Sequence, residues 1–301
     1  MKMTVSMIPG APRASRSLGA ILIDSGQLTP ADAERVLALQ KEQNMRFGAA
    51  AVQLGLLSEA DIQYALSRQF SYAYLRKIPG EKKPVSDELV AAYQPFSPRV
   101  EQLRAIRSQL MLRWFDKGEA RQVLTVVGSG RREGRSYLAA NLAVVFSQLG
   151  ERTLLVDADL RTPRQHEIFF LENKVGFSTV LSGRSREEAI VRIPDLGGLC
   201  VLPAGPVPPN PLELLNRLNF DEFLIQAKSS FDVVIIDTPA LSAGEDGAMM
   251  AVRTGAALAV ARSGKTRMDE YNDMVRGLMY AGVAVVGSVL NEVRVKRKAA
   301  A

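Results

Sequence analysis

The sequence predicts an α/β protein, a parallel sheet with helices on both faces, preceded by a small all-α domain. Three observations carry that expectation. Short apolar, β-branched runs alternate with segments of helical spacing, the pattern of buried parallel strands joined by crossover helices. A glycine-bearing turn joins one such run, Val123 to Val127, to a helical segment opening at Ser136. The first 75 residues contain an internal helical repeat.

At 301 residues and 47% apolar content the chain has room for one large or two modest domains. Its single cysteine, Cys200 in the run LCVLP, excludes an intramolecular disulfide framework and reads as a buried strand residue in a reducing compartment. No apolar run approaches the ~18 residues of a membrane span, and the opening MKMTVSMIPGAPRAS lacks the apolar core of a signal peptide. A cytoplasmic location is expected. The net charge is +6, but its basic residues are spread along the chain without an aromatic platform, so no nucleic-acid partner is expected.

Residues 1–16 read as disordered. From Ser17, SLGAILIDSGQLTPADAERVLALQ lies over RFGAAAVQLGLLSEADIQYALSRQ when the sequence is slid by twenty-nine positions, pairing Gly19 with Gly48, Gly26 with Gly55 and Asp32 with Asp61. In each copy a short helix ends at a glycine. A second then begins at the N-cap residue Thr29 or Ser58, with Pro30 at the first helical position of copy one and an Asp three residues past each cap. Residues 17–75 thus form the all-α domain. The charged, proline-rich stretch 76–98 reads as a linker. A helix starting at Pro98 or Arg99 carries Glu101, Arg104 and Arg107 at spacing three, which by itself suggests a solvated face with a local ion pair.

The main domain, 99–293, is organised around VLTVVGSGRREGRSYLAANL (Val123 to Leu142). A loop of this kind turns backbone N–H groups inward, and the positive end of the next helix faces the same space, so it suits a polyphosphate. The usual phosphate-loop pattern ends Gly-Lys-Ser/Thr. Here it ends Gly134-Arg135-Ser136. Further on, TLLVDADLR ends in Asp157 and Asp159, and VVIIDTPA carries Asp237 at a strand end. In parallel sheets ligands bind beyond the carboxyl ends of the strands. Loop and acids together fit Mg-nucleotide chemistry: Ser136 and Asp237 on the magnesium, Asp159 supporting the metal, Asp157 as base or water-positioning group. The basic end, 294–301, reads as a flexible tail.

These motifs resemble the bacterial (BY-type) tyrosine kinases, cytoplasmic P-loop enzymes paired with polysaccharide chain-length proteins. LLVDADLRTP is similar to their second Walker motif, and GFSTVLSG, LPAGPVPPNPLELL, IIDTPALSAGEDG and GSVLN agree. The match covers about residues 99 to 292 and is nearest to the EpsG-type chain-length-determinant kinases. It implies a P-loop NTPase-type sheet, ATP or ADP with Mg²⁺ held by Gly130, Arg131, Arg132, Glu133, Gly134, Arg135, Ser136, Tyr137 and Asn291, and a catalytic part for Arg135 beside Asp157 and Asp159. It also implies an oligomer through the Glu101, Arg104, Arg107 helix, and an inner-membrane chain-length partner that recruits the chain to the membrane's inner face. The N-terminal repeat resembles that of type II secretion and pilus-assembly ATPases. Some of those bind cyclic di-GMP, which would fall here on Arg46, Gly19 and Gly48.

Two departures stand out. The family's loop usually reads Pro-Gly-Glu-Gly-Lys-Ser, against Arg131-Arg132-Glu133-Gly134-Arg135-Ser136 here, and a guanidinium fork cannot take the place of an ammonium unchanged. No tyrosine follows Tyr280, whereas those kinases phosphorylate a C-terminal cluster; Tyr64, Tyr72, Tyr74 and Tyr93 are the alternative acceptors or else packing residues. His166 reads as an ordinary helix residue. The function expected is an ATP-dependent tyrosine autokinase of exopolysaccharide export. The alternative is a weak or inactive nucleotide-binding adaptor, and a partition-type ATPase shares the fold.

Overall fold

In the computed structural model the chain divides into two compact units, Met1–Arg76 and Lys77–Ala301. The structure describes residues 17–69, 73–75, 80–118, 122–184 and 188–292. The segments expected to be disordered or flexible, 1–16 and 294–301, lie outside the described residues, as does Tyr72.

Among the described residues the first unit holds four helices: α1 Leu18–Asp24, α2 Pro30–Gln43, α3 Phe47–Gln53 and α4 Glu59–Gln69. The repeat is visible in its caps. Thr29 Oγ1 accepts from Asp32 N at 3.1 Å, and Ser58 Oγ accepts from Asp61 N at 3.3 Å while Asp61 Oδ2 accepts from Ser58 N at 2.9 Å. Gly26 and Gly55, at φ +68° in each copy, make the turn that a β-carbon would strain. Leu22, Val36, Ala50, Ala51, Ile62 and Ala65 form the core.

In the second unit the strands β1 Val123–Val127, β2 Thr153–Asp157, β3 Val191–Arg192, β4 Leu199–Leu202, β5 Val233–Asp237, β6 Ala256–Arg262 and β7 Ala284–Asn291 form one sheet ordered β3-β4-β2-β5-β1-β6-β7. Only β3, which the sequence did not signal, is antiparallel. Its helices are α5 Val90–Tyr93, α6 Pro98–Arg113, α7 Arg135–Ser147, α8 Gln165–Ile168, α9 Phe177–Leu181, α10 Pro211–Leu215, α11 Leu218–Ser230, α12 Asp246–Thr254 and α13 Met268–Tyr280. Phe177, Phe220 and Phe223 pack with Leu154, Val156, Val234 and Ile236 in one core cluster; Val127, Ala257 and Ala259 pack with Met274 and Leu278 in another. Cys200, expected buried, is half-buried in β4.

The linker reading fails from residue 85 onward. Val85, Leu89, Ala91 and Ala92 are buried, and Ala91 N donates to Asn141 Oδ1 (3.0 Å) while Asn141 Nδ2 donates to Glu88 O (2.9 Å). Gln148 Nε2 donates to Ala91 O at 2.9 Å, so residues 85–94 form a strap across α7. The apolar residues of VSDELVAAY, hidden among prolines and charges, cause it.

Candidate phosphate-loop site

β1 is buried along its whole length and ends at Gly128, where the loop begins. α7 starts at Arg135, so the N–H groups of its first turn have no intrahelical partner and face the loop's concavity. Gly134, at φ +98°, is required: a β-carbon there would lie 2.1 Å from Asn291 Nδ2, which donates to Glu133 O at 3.0 Å. Arg132 takes φ +60°, the left-handed region, where the resembling family carries glycine.

Arg135 is only 7% exposed and lies folded into the loop. Its Nε donates to Thr238 O at 3.1 Å and its Nη1 to Gly130 O at 2.6 Å, with Glu133 Oε2 3.4 Å from Nη1. Arg131 and Arg132 are exposed, and Arg262 Nη1, from the end of β6, donates to Arg132 O at 3.0 Å.

The three acids converge as their strand ends require, because Asp157 and Asp237 are paired in register across β2 and β5. Both are fully buried. Asp157 Oδ2 accepts from Arg164 N (2.9 Å) and Gln165 N (2.8 Å), and its Oδ1 accepts from Asp159 N (3.2 Å). The residue expected as a base is thus withdrawn from solvent and folds the turn after β2. Burial, then the Asp237 charge, push its pKa well above the usual carboxylate range, against the pull of those N–H bonds. Asp237 Oδ2 accepts from Gln165 Nε2 at 2.8 Å, whereas its Oδ1 has no partner. Burial raises its pKa to about 6, opposed by Gln165, the nearby Ser136 hydroxyl and the Arg135 charge. Asp159 is held by Thr162 N (2.8 Å) and Thr162 Oγ1 (2.9 Å) and lines the cleft.

That cleft, about 880 Å³, runs from Asn291 and Arg262 past Gly134, Arg135 and Ser136 to Tyr137, Arg99 and Arg164. It suits a Mg-nucleotide on the chemistry of its lining: free helix N–H groups, exposed arginines, the Ser136 hydroxyl and the Asp159 carboxylate, with the buried Asp237 carboxylate next to Ser136. Among the described residues no three His, Cys, Asp or Glu side chains form a metal cage. Magnesium held by one or two carboxylates plus substrate phosphates needs none.

Of the motif residues outside the cleft, Glu101 pairs with Arg104, and Arg107 Nη1 donates to Val145 O at 2.6 Å. The N-terminal glycines are packing positions: a β-carbon would meet the Phe47 ring at 3.3 Å from Gly19, and Ile62 Cγ2 at 2.8 Å from Gly48. Arg46 is the N-cap residue of α3 and makes no side-chain capping bond. Tyr93 Oη donates to Val85 O at 2.9 Å; Tyr64 and Tyr74 are half-buried; Tyr280, 91% exposed, is the accessible tyrosine among those described. Sequence reasoning missed Gln165, Thr238, Arg262 and Thr266. Only the turn-like SGKT after β6 hinted at the last.

Fold and site together define a P-loop nucleotide-binding protein. The chain is 36% identical over 217 residues to the tyrosine-protein kinase YwqD of Bacillus subtilis (strain 168), covering 72% of this chain and 90% of that one. It is 33% identical over 212 residues to the tyrosine-protein kinase etk of Escherichia coli (strain K12), 70% of this chain but only 29% of that much longer protein. The solved kinase domain of Escherichia coli tyrosine kinase ETK superposes with a TM-score of 0.66 at 31% identity, over 75% of this chain and 87% of that one. No protein-family model matches. The chain belongs to the bacterial (BY-type) tyrosine kinase family. Among the described residues no helix is long and apolar enough to cross a membrane.

Proposed function

We propose that the chain is an Mg-ATP-dependent protein tyrosine kinase that phosphorylates copies of itself and acts with an inner-membrane chain-length partner in exopolysaccharide export. The observation that carries the reading is the buried, partnerless Asp237 Oδ1, in a carboxylate next to Ser136 of the first turn of α7. Bound Mg-ATP would supply the transferable phosphoryl group and offset the charge developing on it. Ser136 and Asp237 would hold the metal, with the first-turn N–H groups of α7, Arg131 and Arg132 on the phosphates. Asp159, which lines the cleft where Asp157 does not, would be the acid that meets an acceptor hydroxyl. Asn291 closes the nucleoside end. The Glu101, Arg104, Arg107 helix would contact a neighbouring copy through its exposed Glu101 end.

Incubation with labelled ATP and Mg²⁺, with and without the partner's cytoplasmic segment, tests this. Tyrosine label is expected, and mapping should find it first on Tyr280; no label under either condition removes the kinase reading. The inward-folded Arg135 favours one other reading, a nucleotide-dependent adaptor, whose signature is ATP-dependent self-association without phosphotransfer. The N-terminal unit we assign to protein docking. Heat on titrating cyclic di-GMP, lost in Arg46→Ala, would instead make it a nucleotide sensor.

A further inference from the structure

Glu133 immediately precedes the glycine that caps α7, and its carboxylate is 1% exposed. A buried carboxylate is costly unless its charge is paired and its oxygens are hydrogen-bonded. Glu133 meets both conditions: Oε1 accepts from Ser129 Oγ at 3.2 Å and Thr266 Oγ1 at 2.5 Å, and Oε2 faces Arg135 Nη1 at 3.4 Å. The pair occupies space that only glycine leaves. A β-carbon on Gly128 would lie 2.5 Å from Glu133 Oε2 and 2.7 Å from Arg135 Nη1, and one on Gly130 would lie 3.0 Å from Glu133 Oε1.

Thr266 lies outside the loop, in the turn between β6 and α13. Its Oγ1 accepts from Arg262 N at 2.8 Å, so its single proton is directed at Glu133. Nε is held on Thr238 O and Nη1 on Gly130 O, Nη2 makes no hydrogen bond among the described residues, and Arg135 lines the cleft.

We propose that Glu133 and Thr266 are positioning residues for Arg135. The Thr266 hydroxyl fixes the Glu133 carboxylate, the carboxylate fixes the guanidinium at the wall of the cleft, and the same carboxylate offsets part of the positive charge that a nucleotide phosphate meets. An arginine in place of the lysine is thereby an integrated part: its rigid plane meets Thr238 O through Nε and Gly130 O and Glu133 through Nη1, whereas an ammonium presents all its donors from one nitrogen. The inference rests on the nucleotide reading above.

Charge and position separate by mutation. Glu133→Gln keeps the side chain's shape but removes the charge that competes with phosphate; Thr266→Val keeps the volume but removes the hydroxyl that places the carboxylate. Calorimetric titration of the full chain with Mg-ADP should show Glu133→Gln binding about three- to tenfold tighter. Thr266→Val should bind about five- to twentyfold weaker, and Thr266→Ser should return to within about twofold of the parent. A purely structural role moves Glu133→Gln and Thr266→Val the same way. In nitrogen-resolved proton spectra without nucleotide, the slowly exchanging Arg135 Nε–H signal, identified by its loss in Arg135→Lys, should persist in Glu133→Gln and Thr266→Ser and vanish in Thr266→Val. Should Thr266→Val fail to fold, judged by the fluorescence of the single tryptophan, Trp114, the Glu133→Gln result decides alone. Absence of tightening there, or a Thr266→Val protein with parental affinity and an intact Nε–H signal, overturns the proposal while leaving the nucleotide reading in place. No heat from Mg-ADP with the parent protein removes both.

Discussion

Replacing Asp237 by Asn should stabilise the second unit at neutral pH and flatten its pH dependence. Burial raises the Asp237 pKa from 3.8 to about 6. At roughly 1.36 kcal/mol per unit, the ionised side chain costs the folded state up to about 3 kcal/mol. The folded form holds this proton more tightly than the unfolded form between about pH 4 and 6, so stability is greatest below that window, declines as pH rises through it and levels off above. Asn does not ionise, and its carbonyl can still accept from Gln165 Nε2, which sits 2.8 Å from Asp237 Oδ2. A gain of about 2 kcal/mol is expected at pH ~7.5, and none near pH ~4, where both proteins carry a neutral side chain. Trp114, the only tryptophan, reports on this unit alone, its Nε1 donating to Val123 O at 3.1 Å at the start of β1. Urea unfolding followed by its fluorescence from about pH 4 to 7.5 gives the comparison. Curves that stay parallel over the whole range, or a variant less stable at neutral pH, would refute the reasoning.

Arg132→Gly should raise stability by about 0.5–1 kcal/mol in the same assay, since removing the β-carbon from a residue at φ +60° relieves more than the added chain entropy costs. Asn141→Ala should cost about 2–3 kcal/mol and expose the Ala91 amide to hydrogen exchange, because Asn141 both receives that N–H and donates to Glu88 O. Arg161→Met should destabilise by about 3 kcal/mol by thermal melting, since it leaves Asp246, 1% exposed, without the guanidinium that lies 2.6 Å from it. Mg-ADP binding at pH ~6 should release about half a proton from Asp237, as a cation pulls its raised pKa down; calorimetry in two buffers of different ionisation heat, corrected for the nucleotide's own titration, would show no buffer dependence if this is wrong.

Strands and the main helices were legible because their signals are local. VLTVV, TLLVD and VVIID are continuous apolar runs of strand length, and α6 begins at Pro98, where the proline suits the first turn. The caps of the helical repeat were legible from Thr29 and Ser58 with the acids three residues on. The two-residue β3 offers no periodicity to read. The strap at 85–94 was hidden because its partner, Asn141, lies some fifty residues away inside a helix that is buried all round. The convergence of the acids on the loop followed from the parallel topology. Their division of labour did not: that Asp157 is consumed by three backbone N–H groups while Asp237 keeps a bare oxygen depends on how the turn after β2 folds back, and that turn has no sequence signature.

That division has a physical cause. Two carboxylates on one rung of a buried sheet cannot both be ionised without compensation; the Asp237 charge adds to burial in raising the proton affinity of Asp157, and Asp159 adds to burial in raising that of Asp237. Compensation supplied by the backbone costs the chain a turn of fixed geometry, and here that turn also carries Asp159 to the cleft. Compensation left open leaves a carboxylate oxygen bare. By giving its N–H donors to Asp157 and none to Asp237 Oδ1, the protein builds one rigid corner and one partnerless oxygen from the same pair of residues. The Arg135 guanidinium, directed onto Gly130 O, Thr238 O and Glu133, lowers the Asp237 pKa without hydrogen-bonding that oxygen. An ammonium reaching Asp237 Oδ1 would satisfy that oxygen from within. The fork held by Glu133 keeps it clear.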